Sequence, residues 1–374
     1  MTRALIVGGG IAGAATAMAL RKAGLDPVVH EAYPTGADDA GAFLTIMGNG
    51  LDALRAIDAE QVVVANSFPA RSIEAVSAKD GSLGVRELDG PRTLRRAGLH
   101  RALHEELARR GIRVEHGKRL VGATAGDGVV AAFADGTTAE GDLLVGADGI
   151  HSATRSIIDP DAPKPRYTGL NIVYGYARGT ATSPESYRMI YGTRAFFGYT
   201  TAPDGETWWF ARLPGDAFTE AELTAASPEA LRRRAIEAFA GDDIPAAEII
   251  AATGDAIIAS NGYDVPTTPH WHNGALVLVG DAAHAASPAA GQGASMALED
   301  SVVLAKCLRD LPDISRAFTT FEELRRPRVE GLVAASAAQA NTTADAPARQ
   351  TSRWNREHHI DWDSPITPET PEMP

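Results

Sequence analysis

With Cys307 as its only cysteine, the chain cannot form an internal disulfide, which points to a reducing compartment and makes the cytoplasm the expected location. No run approaches the roughly 18 consecutive apolar residues of a membrane span, so no membrane partner is expected. Positive charge is scarce as well. The 35 Lys and Arg face 48 Asp and Glu, for a formal net charge of −13, and no basic block offsets this locally, which argues against nucleic acid and anionic lipid as partners. The start Met1-Thr2-Arg3 runs directly into an apolar stretch and leaves no room for a signal peptide. Internal repeats are absent, and with one cysteine and scattered histidines no metal site is expected. None of this specifies an oligomeric state. What is present suits a folded protein of two or three lobes, with 44% hydrophobic and 22% charged residues over 374 positions.

Residues Ala4 to Gly13 read Ala-Leu-Ile-Val-Gly-Gly-Gly-Ile-Ala-Gly, an apolar strand placed directly before Gly8-x-Gly10-x-x-Gly13. Gly8 allows a tight turn, Gly10 removes a side chain from the path of a pyrophosphate, and Gly13 lets the next helix lie close to the sheet. An Ala-rich helix from Ile11 to Ala23, a stop at Gly24, and a second strand through Pro27, Val28 and Val29 lead to Glu31. An acid about 20 residues after the glycines accepts hydrogen bonds from ribose hydroxyls and repels a 2′-phosphate. The order of strand, loop, helix, strand and acid marks a dinucleotide site that favours FAD or NAD over NADP.

Two further strand-to-loop transitions carry polar residues. The first runs from Asp142 through Asp148-Gly149 to His151, Ser152 and Arg155, and the second from Ala275 through Gly280-Asp281 to His284. After the second come Pro288-Ala-Ala-Gly291-Gln292-Gly293-Ala294 and a helical run through Leu308. An ionised Asp281 at a strand end needs donors, which a polyhydroxyl chain supplies and a pyrophosphate does not. Gly291 and Gly293 lead into a second helix N-terminus able to stabilise negative charge.

Together these three segments resemble the glycine, D-G and G-D motifs of the class A flavoprotein monooxygenases, the p-hydroxybenzoate hydroxylase family, across roughly residues 1 to 335. The resemblance implies FAD as cofactor, with Gly8, Gly10, Ile11, Ala12, Gly13 and Glu31 at its ADP half. Asp281, after Gly280, would bond the ribityl chain, and Arg96 matches a family arginine that reaches the cofactor. Asp148 and Gly149 match a motif linked to FAD and nicotinamide contact. Pro288, Gly291, Gln292, Gly293 and Ala294 match the loop beside the flavin ring, so Pro288 and Gly291 are the catalytic candidates, and no protein base stands out. NADH or NADPH would reduce the flavin, and O2 would yield a flavin hydroperoxide that hydroxylates a phenolic or polyketide-like aromatic in a dry pocket. Two departures are visible: Ser295 stands where many relatives carry Asn, and no Lys or Arg occurs from Ala23 to Leu54. Two alternatives stand beside this reading. One is another FAD oxidoreductase of the same fold, a reductase or a halogenase, although Trp208-Trp209-Phe210 lacks the halogenase Trp-x-Trp-x-Ile pattern. The other is a catalytically silent FAD-binding protein.

The middle of the chain is rich in aromatics, with 11 of the 23 lying between Tyr167 and Phe210 in strand-like settings. By the resemblance this sheet roofs a substrate pocket. Tyr176, Arg188, Tyr199 and Trp209 are the substrate candidates, and Arg188 and Arg194 could each meet an anionic group. His151 and His284 read as loop or packing residues, and His100 and His104, which share a helix face without the acid of a zinc motif, as solvated. The expected fold is α/β: a Rossmann-like FAD-binding domain with a mostly parallel sheet, an antiparallel-sheet substrate domain and a long C-terminal helix. The FAD-binding domain takes residues 1–71, 92–165 and 266–340, and the substrate domain 72–91 and 166–265. The helix spans Phe318 to Ala340 with an interruption at Pro327, and 341–374 form an irregular tail whose Trp354 and Trp362 suggest docking.

Overall fold

The computed structural model describes residues 1–34, 42–126, 128–180, 184–287, 291–340 and 358–366. Apolar runs with no polar alternation, such as Leu143–Gly146 and the part of Arg3–Val7 that follows its exposed arginine, are buried on both faces and form the centre of a parallel sheet. The six strands run in the order His272–Asn273, Leu276–Leu278, Leu143–Gly146, Arg3–Val7, Asp26–His30 and Arg113–Glu115. Only the edge strand His272–Asn273 is antiparallel. Leu5 stands opposite both Val28 and Leu144, and Val145 opposite Val277.

That order places all three motifs together. The chain begins mid-sheet at Arg3–Val7, moves to one side for Asp26–His30 and returns on the other for Leu143–Gly146, so a switch point lies between the two central strands. Open sheets bind ligands at such a point, beyond the carboxyl ends of the strands. Gly8, Asp148 and Gly280-Asp281 each follow one of three adjacent parallel strands and therefore emerge along one rim.

A second sheet of seven strands has the order Thr253–Asp264, Arg166–Ala177, Thr207–Pro214, Phe196–Thr201, Ser186–Tyr191, Ser72–Ser77, Gly81–Glu87. Its pairings are antiparallel except for Ser186–Tyr191 with Ser72–Ser77. Along Thr207–Pro214, Trp208, Phe210 and Arg212 point to one face and Trp209, Ala211 and Leu213 to the other, as strand alternation requires. The first face meets Phe43, whose ring stands 5.6 Å from Trp208 and 6.1 Å from Tyr174 and Phe210. The Tyr187 hydroxyl joins Thr45 at 2.8 Å and Thr93 at 3.0 Å, a buried polar tie from this sheet to the small sheet of Phe43–Ile46, Arg92–Arg95 and Phe68–Pro69. The opposite face carries its own core under the helices Pro228–Ala238 and Ala246–Ala251.

The helix Gly293–Asp310 is buried along most of its length between Ile11–Lys22, Gly48–Ala56 and the long helix Ile314–Ala340. That last helix runs continuously through Pro327, against the expected interruption. Proline removes one backbone donor, but Arg325 and Arg328, on either side of it, are both anchored to Glu299, which holds the helix together across the defect. From the tail, Trp362 packs on the main core under the Arg309 guanidinium, 4.7 Å from its ring centre, and Ile360 is buried. Trp354 lies outside the described residues.

Candidate active site

At the first turn Gly8 has φ +101°, and a side-chain carbon there would lie 2.5 Å from the Ala147 carbonyl oxygen, so the chain crosses the neighbouring D-G segment in contact with it. At Gly13 the same carbon would lie 1.9 Å from the Gly8 carbonyl oxygen, which is why the helix Ile11–Lys22 packs this close to the strand. Gly10, by contrast, borders open space, and the helix has no side-chain cap. Its first N–H groups are left to a ligand. Glu31 accepts the Gly9 N–H at 2.6 Å and the Tyr33 N–H at 2.9 Å. His104, expected to be solvated, is half-buried with Nε2 2.7 Å from the Gly9 carbonyl oxygen, and its ring stacks on His100 at 4.1 Å.

Asp148 spends its carboxylate inside its own loop, accepting from the Ser152 hydroxyl at 2.5 Å and from the Thr154 N–H and hydroxyl at 3.0 Å each. Gly149 follows at φ +74°. Arg155, buried, bridges this loop to the third motif by donating to the carbonyls of Ile150 at 2.6 Å and Ala282 at 3.0 Å.

Gly280, at φ +58°, packs so closely that a side-chain carbon would lie 3.0 Å from Ala12 and from Ala297. The G-D turn and the glycine turn therefore adjoin. Asp281 is exposed to a cleft, yet desolvation by the surrounding protein pushes its carboxyl above its ordinary value, with His284 and Arg96 acting against the rise. Gly291 has φ +62°, and a side chain at Gly293 would stand 3.8 Å from Asp281 Oδ1. Gln292 is 4% exposed, and neither atom of its amide has a partner among the described residues. Ala294 is partly buried beside it. Ser295 faces inward, accepting the Met47 N–H at 3.0 Å. Pro288 lies outside the described residues.

Beneath this turn is a charge network that no sequence motif announced. Asp300 accepts the Gly280 N–H at 2.9 Å, the His284 imidazole at 2.5 Å and the Arg325 guanidinium at 2.7 Å. Glu299 accepts from Arg325 at 2.5 Å, from Arg328 at 2.8 Å and from Asn49 at 2.6 Å. Burial alone would raise the Asp300 carboxyl, yet His284 and Arg325 hold it well below the usual carboxylate range.

The cleft above Asp281 has a volume of 550 Å3. Ile172, Tyr174 and Tyr263 come from the large sheet, Phe218 and Leu223 from the segment over it, and His151 from the D-G loop. Asn261 clasps Phe218 by two 2.8 Å bonds to its backbone N–H and carbonyl, and the Arg234 guanidinium covers its ring at 4.3 Å. Arg96 acts electrostatically on both Tyr174 and Asp281.

None of the four substrate candidates borders this cleft. Trp209, fully buried, Tyr199 and Arg188 lie on the opposite face of the sheet, where the Trp209 indole donates to Thr253 at 2.8 Å and Arg188 pairs with Glu74 at 2.9 Å. Tyr176 shares the cleft-side face but lines a separate 340 Å3 hollow with Arg95 and Glu206. Arg194 donates to the Glu237 and Ala240 carbonyls at the end of a covering helix. Tyr174, the residue that does face the cleft, was legible only through alternation with its buried neighbours. No group of three metal-ligating side chains occurs among the described residues.

An uncapped helix end beside open space at Gly10, an unsatisfied buried amide at Gln292 and an acid positioned for hydroxyl donors fit one extended dinucleotide with a polyhydroxyl middle. Fold and site thus define an FAD-dependent oxidoreductase. The family described as an FAD binding domain matches residues 1–336. The chain is 32% identical to the aurachin C monooxygenase/isomerase of Stigmatella aurantiaca, over 89% of this chain and 87% of that one. It is 33% identical to the 3-amino-4-hydroxybenzoate 2-monooxygenase PtmB3 of Streptomyces platensis, over 87% and 85%. The crystal structure of Klebsiella pneumoniae HpxO complexed with FAD and uric acid superposes with a TM-score of 0.83 at 27% identity, covering 91% of this chain and 88% of that one. The chain belongs to this FAD-binding family, and its place among these relatives makes it an FAD-dependent monooxygenase. No helix among the described residues is long and apolar enough to cross a membrane.

Proposed function

We propose that the chain uses NADH or NADPH and O2 to hydroxylate an aromatic small molecule, phenolic or polyketide-like, seated in the 550 Å3 cleft over Asp281. The observation that carries this reading is the cleft itself. It joins the carboxylate expected to hold the ribityl chain to a wall of Ile172, Tyr174, Phe218, Leu223 and Tyr263, a lining that accepts a flat apolar ring. In this reading Gly8, Gly10, Ile11, Ala12, Gly13 and Glu31 hold the ADP half, and Asp281 accepts from the ribityl hydroxyls. The helix end from Gly291 to Ala294 faces the ring system, where its unpaired N–H groups favour developing negative charge. The Arg96 charge opposes the rise that burial gives both the Tyr174 hydroxyl and the Asp281 carboxyl, so it bears on both sides of the cleft. Bound FAD, reduced by NAD(P)H, supplies the oxygen-activating chemistry. The protein orients the substrate and excludes water, and the clasp of Asn261 on Phe218 keeps the cleft covered.

Residues 72–91 and 166–265 are assigned to the substrate lobe and 1–71, 92–165 and 266–340 to the flavin lobe, an assignment supported by their separate sheets. A nicotinamide-driven reaction and a single buried cysteine support a cytoplasmic setting. The test is a panel of phenols, quinones and polycyclic polyketides mixed with the purified flavoprotein and NAD(P)H. A hydroxylase shows substrate-stimulated NAD(P)H oxidation and a product carrying one additional oxygen atom. Uniform silence across the panel would return the chain to the status of a flavin-binding protein.

A further inference from the structure

We propose that His104 is a positioning residue for the pyrophosphate-binding turn, holding the Gly9 carbonyl so that the next backbone N–H, that of Gly10, points into the ligand space. A carbonyl oxygen only accepts, so the 2.7 Å contact from His104 Nε2 to Gly9 O requires the proton on Nε2. No cis peptide occurs among the described residues, and in a planar trans peptide the C=O and N–H point in opposite directions. Fixing the Gly9 carbonyl toward His104 therefore aims the Gly10 N–H away from it. Gly10 itself is uncrowded: a side-chain carbon built on it would meet nothing within 4 Å.

The preceding peptide is fixed in the same manner, because Glu31 accepts the Gly9 N–H at 2.6 Å. Gly9 is thus gripped on both of its polar groups by side chains from two different elements. A side-chain carbon on it would lie 3.0 Å from the Glu31 carboxylate and 3.2 Å from the His104 ring. Without these bonds, two glycine-flanked peptides would rotate freely in a chain segment that contains three consecutive glycines, and FAD binding would have to order them. His100, one helical turn earlier and stacked at 4.1 Å, holds the His104 ring in its plane.

The experiment uses the full chain stripped of flavin and retitrated. His104→Phe keeps the ring and its stacking but has no donor, while His104→Gln restores an N–H on a side chain of similar reach. The expected result is an affinity for FAD, and equally for ADP alone, about tenfold weaker in His104→Phe and within threefold of the parent in His104→Gln, with the melting temperatures of all three flavin-free proteins alike. Binding by His104→Phe within twofold of the parent overturns the proposal. So does a glutamine variant no better than phenylalanine, since that assigns the ring a packing role only. Nitrogen NMR of the unsubstituted protein decides independently of any variant's folding: a His104 ring protonated at Nε2 supports the assignment, and a neutral ring protonated at Nδ1 refutes it. Turnover plays no part in these readouts, so they stand or fall separately from the choice of aromatic substrate.

Discussion

Asp300 accepts the backbone N–H of Gly280 at 2.9 Å, and through this bond a fully buried carboxylate on the helix Gly293–Asp310 sets the turn that holds Asp281 at the cleft. The same side chain meets His284 and Arg325, so its removal leaves a backbone donor and an imidazole without their acceptor and Arg325 with Glu299 as its one remaining carboxylate. Asp300→Ala is expected to cost about 3–5 kcal/mol of stability, as breaking buried ion pairs does, and to lose FAD in the same step. Thermal melting and the flavin content of the purified variant check this. A variant that melts lower yet binds FAD as before would separate the network from the cofactor turn.

The network is expected to set the acid limit of stability. Because the folded-state values of Asp300 and Glu299 lie below their unfolded values, their contribution is complete above the ordinary carboxylate range and is lost as pH falls through that range toward the lowered folded values. The melting temperature is therefore expected to hold near neutrality and to fall steeply below about pH 4. In Arg325→Met, which removes the cation facing both acids, the acid limb should start at higher pH. An unchanged profile would show that the pair does not set it.

Asp281 obeys the opposite sign. Its carboxyl is pushed up by desolvation, so ionisation at neutral pH opposes folding of the flavin-free protein, and the penalty is relieved as pH falls through the raised value. Asp281→Asn is expected to raise the melting temperature of the flavin-free protein at pH 7 while weakening FAD at least tenfold, because an amide is a poorer acceptor for ribityl hydroxyls. Melting curves with and without FAD give both numbers from one preparation. Such a trade of stability for binding marks a functional acid.

The α/β class and the meeting of the three motifs were legible because each motif follows an apolar strand, and parallel strands expose their loops on one rim. Glu299, Asp300, Arg325 and Arg328 were not, since a charged helix face reads as solvated until another helix is found to cover it. His104 was misread for the same reason: its partner is a backbone carbonyl 95 positions away. In the aromatic stretch composition identified the sheet correctly but not its faces. A shift of one residue exchanges the two sides of a strand, and Trp208-Trp209 offers an equally large ring to each.

That ambiguity of faces yields the sharpest contrast between two substitutions. Tyr174 and Trp209 lie on paired strands of one sheet, Tyr174 toward the cleft and Trp209 toward the covering helices, where it stacks with Phe197 at 5.7 Å. Trp209→Ala removes a fully buried indole and leaves the Thr253 hydroxyl without its donor, so about 3–5 kcal/mol of stability should be lost. Cleft chemistry should survive in whatever fraction folds, with the order of preference among aromatic substrates unchanged. Tyr174→Ala empties part of the cleft wall, and its effect belongs to substrate binding: an increase in KM of about tenfold or more for a bulky ring, with a smaller loss of stability because the residue is only half-buried. Steady-state kinetics on two aromatics of different width, run beside thermal melts, separate the cases. If Trp209→Ala reorders substrate preference while Tyr174→Ala leaves it intact, the substrate lies on the other side of the sheet.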